Sequence, residues 1–358
     1  MNFENIKPSK SVSILSKAKK LIEQGVDVIP LSVGDTHFPP PQSIVNNINN
    51  APTNYSHYTI SKGIEQLRHQ IANKYNHTLE NVTLTNGVKQ GIFYVLQSLR
   101  ENKVAILEPA WLGYQTTATI CNKSTTSINT HSKNWIDQLH KSDFNILILC
   151  SPNNPDGKVF SKDEINNILS ICKDKNAWVI FDNIYHVYDY SGKYKPFDYN
   201  KLIITGGFSK SHAVTGFRLG YIICNNQEIN HKIDLLNQNI ATCAPSISQY
   251  ALLNLHKHED SVYEFSKYYK ENRDLVSNVI PEFEPYKPDG GFYYFIDVSK
   301  FGFTDGDKFC NEILDTHKIA LVPGSAYGNF PHYIRMSFSV DRKTLMNGLE
   351  SLKSFCKL

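Results

Sequence analysis

Between about residues 80 and 225 the chain alternates short, unbroken apolar runs with stretches whose apolar positions recur every three or four residues. The runs are NVTLT (81–85), KVAILEP (103–109), FNILILCSP (144–152), AWVIFD (177–182), KLIITGGF (201–208) and LGYIIC (219–224). A strand with one wet face alternates apolar and polar residues, so runs of Val, Ile and Leu without alternation predict strands covered on both faces. Between them, SKDEINNILSICKDK (161–175) has helical periodicity. Strand–helix–strand units of this kind build a largely parallel sheet. The fold class expected is α/β, with a three-layer α/β/α large domain over residues 46–255.

The flanks read differently. Residues 8–25 predict a helix that Pro8 and Ser9 start, with Val12, Leu15 and Leu21/Ile22 as its apolar stripe and Gly25 at its end. VIPLSVGD (28–35) is extended and runs into FPPP (38–41). A long helical region (about 226–280) precedes GGFYYFIDV (290–298), HKIALVPG (317–324), YIRMSFSV (333–340) and a final amphipathic helix, KTLMNGLESLKSFCKL. This tail predicts a smaller α+β domain over 256–358, joined by an N-terminal arm, 1–45.

With 358 residues the chain exceeds one ordinary core, which agrees with a large and a small domain. Net charge of +3 is too weak and dispersed for a nucleic-acid partner, and the lysines of SKAKK (16–20) read as a helix face. No apolar run approaches the ~20 residues of a membrane span, and MNFENIKPSK lacks the apolar core of a secretory signal. Seven scattered cysteines without paired spacing point to reduced thiols and a cytoplasmic protein, and give no metal site.

In open parallel sheets ligands bind beyond the carboxyl ends of the strands, so the loops there carry the function. Five have unusual chemistry: NGVKQG (86–91), EPAWLGY (108–114), SPNNPDG (151–157), DNIYHVY (182–188) and GGFSKSHAVTGFRLGY (206–221). Taken singly, most have plain readings. Asp182 could cap a turn, NNPDG could be a rigid loop, and Trp111 could be a core aromatic. The glycine-rich start of a helix at 87–89 is a weak anion-site signal by itself. Lys210 and Arg218 fit a plain reading least, because both stand in a Gly/Ser-rich, otherwise uncharged loop leaving a buried strand. Desolvation or a nearby cation would lower the lysine pKa below its ordinary ~10.4 and make the amine nucleophilic. Arg218 keeps its charge and asks for a permanent anion. These demands together fit a planar ring bearing a phosphate, an aldehyde and a basic nitrogen, which is pyridoxal 5′-phosphate. Lys210 would form the Schiff base, Asp182 would pair with the ring nitrogen, and Trp111 would stack on the ring. Arg218, Ser209 and the backbone amides of Gly87, Val88 and Lys89 would hold the phosphate.

In their order and spacing these motifs resemble the class I/II aminotransferases of the fold-type I pyridoxal-phosphate enzymes, most closely the aspartate-aminotransferase-like subgroup. The resemblance runs from LSVGDTHFPPP through YTISKG (58–63), NGVKQG, Trp111, NNPDG, DNIY, FSK and GFRLGY to YIRMSFS. It implies an amino-group transfer between an L-amino acid and a 2-oxo acid. It also implies further roles. Lys210 moves the proton at Cα, Asp182 keeps the ring nitrogen protonated, and Asn154 and Tyr185 hydrogen-bond the ring hydroxyl. Tyr58 reaches the phosphate of a neighbouring subunit in a homodimer. Arg335 grips the substrate α-carboxylate, with the Gly34 backbone assisting. The chain departs from the pattern at Gly207 (often Ser), Asp156 (commonly Thr), Asn183 (frequently Glu) and His212, a loop residue. Same-fold lyases, decarboxylases and cyclases would use the same lysine and ring contacts and stand as alternatives, as does a histidinol-phosphate-type aminotransferase. A non-catalytic pyridoxal-phosphate sensor is a more distant one, since such sensors carry an upstream DNA-binding module.

Overall fold

The computed structural model describes residues 10–358; Pro8 and Ser9, and the side chains of Val12 and Leu15, lie outside the described residues. The first helix runs over Lys10–Glu23 and gives way to Gly25 in a left-handed conformation. Each of the six apolar runs is a strand. With one more they form a single sheet: β1 (Val82–Thr85), β2 (Lys103–Glu108), β3 (Ser124–Asn129), β4 (Ile146–Cys150), β5 (Trp178–Asp182), β6 (Leu202–Gly207) and β7 (Gly220–Cys224). Their spatial order is β1-β7-β6-β5-β4-β2-β3. Strands β2 to β6 pair in parallel, and β7 is antiparallel to both of its neighbours. The unpredicted strand, β3, reads STTSIN and is largely exposed at the sheet edge. It has no apolar run because only one residue in it, Ile128, is buried.

The apolar runs divide their side chains between two cores with the strict period of a strand. Ile146 and Ile148 of β4 enter one buried cluster, while Leu147 and Leu149 enter the other. Ile180 and Val179 of β5 divide in the same way. Helices cover both faces, including Lys162–Asp174, whose start is fixed by a reciprocal Ser161–Glu164 capping box. The sheet is thus the middle of three layers.

A second sheet, antiparallel and three-stranded, comprises β8 (Tyr293–Asp297), β9 (Val322–Pro323) and β10 (Tyr333–Ser337), in the order β8-β10-β9. The N-terminal segment is bound to it. Ile29 bridges Ile319 in parallel, and Ser337 N donates to Leu31 O at 2.7 Å. Residues 32–36 are thereby carried across to the loops of the large sheet. The NNPDG turn after β4 is locked to the approach of β8. Gly157 N donates to Asn153 O at 3.0 Å, and Gly290 N donates to Gly157 O at 2.9 Å.

Gly157 has φ +66°, and a methyl group there would stand 2.3 Å from both Gly290 O and Pro288 Cβ. Strain and overlap act together at this one point. Gly157→Ala should therefore cost at least about 2 kcal/mol of stability. Urea unfolding measures it, and a midpoint equal to that of the wild type would show that the two loops are not locked here.

Candidate active site

Strand ends determine the site. Strand β5 finishes on Asp182, which is 3 % exposed although nothing in its sequence neighbourhood is cationic. Tyr114 Oη donates to Asp182 Oδ2 at 2.7 Å, and Ile184 N donates to Oδ1 at 3.2 Å. Among the described residues Asp182 makes no ion pair. Burial pushes its carboxyl up to about 6, against the pull of those two donors.

The loop after β6 carries Ser209 and Lys210. Lys210 Nζ donates to the carbonyl oxygen of Gly34. Burial lowers the Lys210 pKa to about 8; Asp35 opposes the shift, and Arg335 and Arg218 add to it. Asp35 is itself fixed by Thr215 Oγ1, which donates to its Oδ2 at 2.8 Å. Tyr188 Oη donates to Lys210 O at 2.8 Å and holds the loop from below.

The helix Val88–Ser98 opens on Gly87 (φ +79°), with no side-chain cap on its first turn. Arg218, itself left-handed at φ +52°, lies directly over that start. A methyl at Gly87 would be 2.6 Å from its Nη2, so only glycine lets the guanidinium come this close. Arg218 Nη1 donates to Thr215 O at 2.8 Å, and the side chain makes no ion pair among the described residues. Unsatisfied helix N–H groups beside a free guanidinium make an anion cradle.

Arg335 projects from β10 and is 5 % exposed. Its Nη2 donates to Ser32 O at 2.7 Å and Nη1 donates to Asn154 Oδ1 at 3.2 Å, while Nε is buried without a hydrogen-bond partner among the described residues. The guanidinium lies 4.1 Å over the Tyr293 ring. Tyr185 and Tyr293 share a hydrogen bond of 3.2 Å between their hydroxyls. Trp111, half-buried after β2, meets Tyr114 edge-on at 5.3 Å, and Lys89 Nζ is 5.1 Å from the indole centroid.

The structure therefore brings Gly34, Lys210, Arg335 and Asn154 into one chain of contacts. Asp182 with Trp111, both touching Tyr114, and Gly87 with Arg218 form two further groups at neighbouring strand ends. Tyr58 stands apart, 84 % exposed, without hydrogen bond or ring contact among the described residues. Three participants were not singled out from sequence: Tyr114, Tyr293 and Asp35. Tyr114 and Asp35 lie inside motifs quoted for a neighbour, EPAWLGY and LSVGD, and Tyr293 lies in a run that reads only as a strand.

The donors fit the expected cofactor. A helix N-terminus with an unpaired Arg218 suits a phosphate, and a buried Asp182 without a cation suits a protonated ring nitrogen. A desolvated amine suits an aldehyde, and Arg335, with no ion pair and an unpartnered Nε among the described residues, suits a carboxylate.

Comparison with known proteins agrees with this chemistry. The family described as "Aminotransferase class I and II" matches residues 26–352. A "Probable aspartate aminotransferase" of Methanocaldococcus jannaschii is 31% identical, over 98% of this chain and 97% of its own. The "(5-formylfuran-3-yl)methyl phosphate transaminase" of the same organism is 30% identical, over 99% and 98%. The crystal structure of aspartate aminotransferase from Thermotoga maritima superposes with a TM-score of 0.90 at 26% identity, covering 99% of each chain.

The raised Asp182 pKa has a consequence for stability. The folded chain binds this proton more tightly than the unfolded chain, whose carboxyl titrates near 3.8. Stability is then lost as pH rises from about 4 to about 6, and the full cost persists above. Asp182→Asn should stabilise the cofactor-free protein at pH 8 by about 2–3 kcal/mol, and by little at pH 4. Urea unfolding at both values checks this; an equal effect at the two would show that the carboxyl is not strained.

Proposed function

Because the chain belongs to the aminotransferase class I and II family, we propose that it carries pyridoxal 5′-phosphate at these strand ends and moves an amino group between an L-amino acid and a 2-oxo acid, as a homodimer. The observation that carries this reading is a set of charges without counter-charges: Asp182, Arg218 and Arg335. The family match and the relatives named as aspartate aminotransferases do not favour the lyase, decarboxylase, cyclase, histidinol-phosphate-type or sensor alternatives.

When bound, the cofactor supplies an aldehyde to receive the amino group and a ring to accept the electron pair left at Cα. The remaining work belongs to the protein. Lys210, with its pKa near 8, has a usable uncharged fraction close to neutral pH, so Nζ would hold the cofactor through its aldehyde with loss of water and, once freed by the incoming substrate amine, would be the base within reach of the Cα proton. Asp182 offers a carboxylate that would keep a proton on the ring nitrogen. Tyr185 and Asn154 would donate to the ring hydroxyl, and Trp111 would cover one face. The amides of Val88 and Lys89 at the helix start, with Ser209 and Arg218, would hold the phosphate. Arg335, already oriented by Ser32 O and Asn154 Oδ1, receives the substrate carboxylate as a two-pronged pair. That clamp selects α-amino acids as a class.

A dimer is supported by the surface around Tyr58. Tyr55, Ile60, Leu235 and Ile240 are also exposed. The loop that carries Tyr55, Tyr58 and Ile60 is tied to the helix Gln227–Ile240, which carries Leu235 and Ile240, by Asn237 Nδ2, which donates to Ser61 O at 2.6 Å. An apolar, aromatic surface of this kind suits a second copy of the chain, whose phosphate site Tyr58 would complete.

Borohydride reduction of the loaded protein should fix a pyridoxyl group on Lys210 alone; a label on any other lysine would remove Lys210 from its role. Arg335→Ala should leave cofactor retention near normal but lower kcat/KM for any α-amino acid at least tenfold, since a buried charge pair loses one partner. Amines without an α-carboxylate should lose much less. An equal loss for both substrate classes would make Arg335 a structural residue.

A further inference from the structure

Asp182 is held by a residue that the reaction as described does not use. Tyr114 follows Trp111 by three positions at the start of the helix Gly113–Ile120. Its ring is buried, its hydroxyl donates to Asp182 Oδ2 at 2.7 Å, and its edge meets the Trp111 indole at 88°. Gly113 lies under the same indole, where a methyl group would come within 2.3 Å. Among the described residues Oδ1 of Asp182 accepts Ile184 N–H alone, at 3.2 Å. The carboxylate is thus asymmetric, with one oxygen taken by a phenol and the other held only by a longer backbone contact.

We propose that Tyr114 is a positioning residue for the cofactor: it occupies Oδ2 so that Asp182 meets the ring nitrogen through Oδ1, and it keeps Asp182 the weaker base of that pair. This rests on the cofactor reading above and deepens it. The pair formed by Asp182 and the ring nitrogen shares a single proton. A hydrogen bond donated to a carboxylate lowers its proton affinity, so with Tyr114 in place the proton stays on the ring nitrogen. Burial, and next the neighbouring Asp182 charge, push the Tyr114 phenol well above its ordinary value, so the phenol remains a donor throughout. Without it the shared proton moves toward the carboxylate and the ring becomes a poorer acceptor of electrons. Through its edge contact the same tyrosine sets Trp111, the expected stacking partner on the ring face.

The test is Tyr114→Phe, which removes one oxygen and leaves the ring packed against Trp111. The holoenzyme is loaded with pyridoxal 5′-phosphate carrying ¹⁵N at the ring nitrogen. The wild type should show a protonated nitrogen, Asp182→Asn a neutral one, and Tyr114→Phe a resonance displaced toward the neutral value. Turnover should fall roughly tenfold, the scale of a lost hydrogen bond to a charged group. In cofactor-free protein labelled with ¹³C-aspartate, the Asp182 carboxyl, identified by its absence in Asp182→Asn, should titrate higher in Tyr114→Phe than the wild-type value of about 6. A ¹⁵N resonance and a titration midpoint that both stay with the wild type would overturn the role of Tyr114. A wild-type protein that retains no labelled cofactor would instead overturn the reading of the site itself.

Discussion

A carboxylate at the end of a central strand, with no cation to meet it among the described residues, sets the terms for the rest of this site. Asp182 is the last residue of β5, and that strand is buried along its whole length, in the middle of the sheet. Moving such a charge out of water is costly unless something compensates, and one phenol and one backbone N–H do so only in part. The fold therefore holds a free-energy deficit at this atom that a protonated ring nitrogen would remove. Lys210 has the complementary problem. Its amine is desolvated and satisfied by one backbone carbonyl, so it too gains when a bond to carbon replaces the charge.

These demands meet because a short piece of the N-terminal segment binds both sheets. Leu31 O accepts from Ser337 N at the end of β10, and one residue later Ser32 O accepts from Arg335 Nη2. Two residues further on, Gly34 O accepts from Lys210, and Asp35 takes the Thr215 hydroxyl from the loop that also carries Arg218. Five residues thus tie the Arg335 guanidinium of the small sheet to the Lys210 amine of the large one. Apart from the Asp35 carboxylate, the acceptors are backbone carbonyls, which is why composition gives little sign of them. Gly34 has no room for a side chain, since a methyl group there would come 2.9 Å from the Tyr293 hydroxyl.

Legibility from sequence follows burial. The six strands buried on both faces show as unbroken apolar runs, whereas β3, with one buried residue, shows as a polar stretch. In the site, Lys210, Arg218 and Asp182 stand out because a charge in apolar surroundings is anomalous in one dimension as well as in three. Tyr114 and Tyr293 do not. A chain with 20 tyrosines offers many that fill core volume, and nothing along the chain distinguishes the one whose hydroxyl finds a carboxylate 68 residues away. Tyr58 is the reverse case: a role implied by resemblance, at a position whose partner atoms would belong to another copy of the chain.

The departures from the family pattern show where the constraint does not lie. Asp156 stands where threonine is common, and its Oδ1 accepts Asn153 Nδ2 at 2.8 Å and Lys158 N at 3.2 Å, so it braces the turn that presents Asn154. Asn183, in place of a frequent glutamate, donates to the Tyr75 hydroxyl at 3.0 Å, on the side of β5 away from Tyr114. Gly207 packs against the start of the helix Val88–Ser98, where a Cβ would stand 3.1 Å from Val88 Cγ2 and from Leu219 O. A serine there would have to displace its neighbours by a few tenths of an ångström, and the combination of Val88 with Gly207 is a local volume match. His212 is held neutral by burial, with Nδ1 2.7 Å from Ser211 Oγ, so it adds no charge beside Lys210. In each case the change alters how a wall is braced and leaves the sign and place of charge at Lys210, Asp182, Arg218 and Arg335 untouched. A wall can be rebuilt from several residue combinations of similar volume, but a buried charge meets its ligand with one sign and in one place.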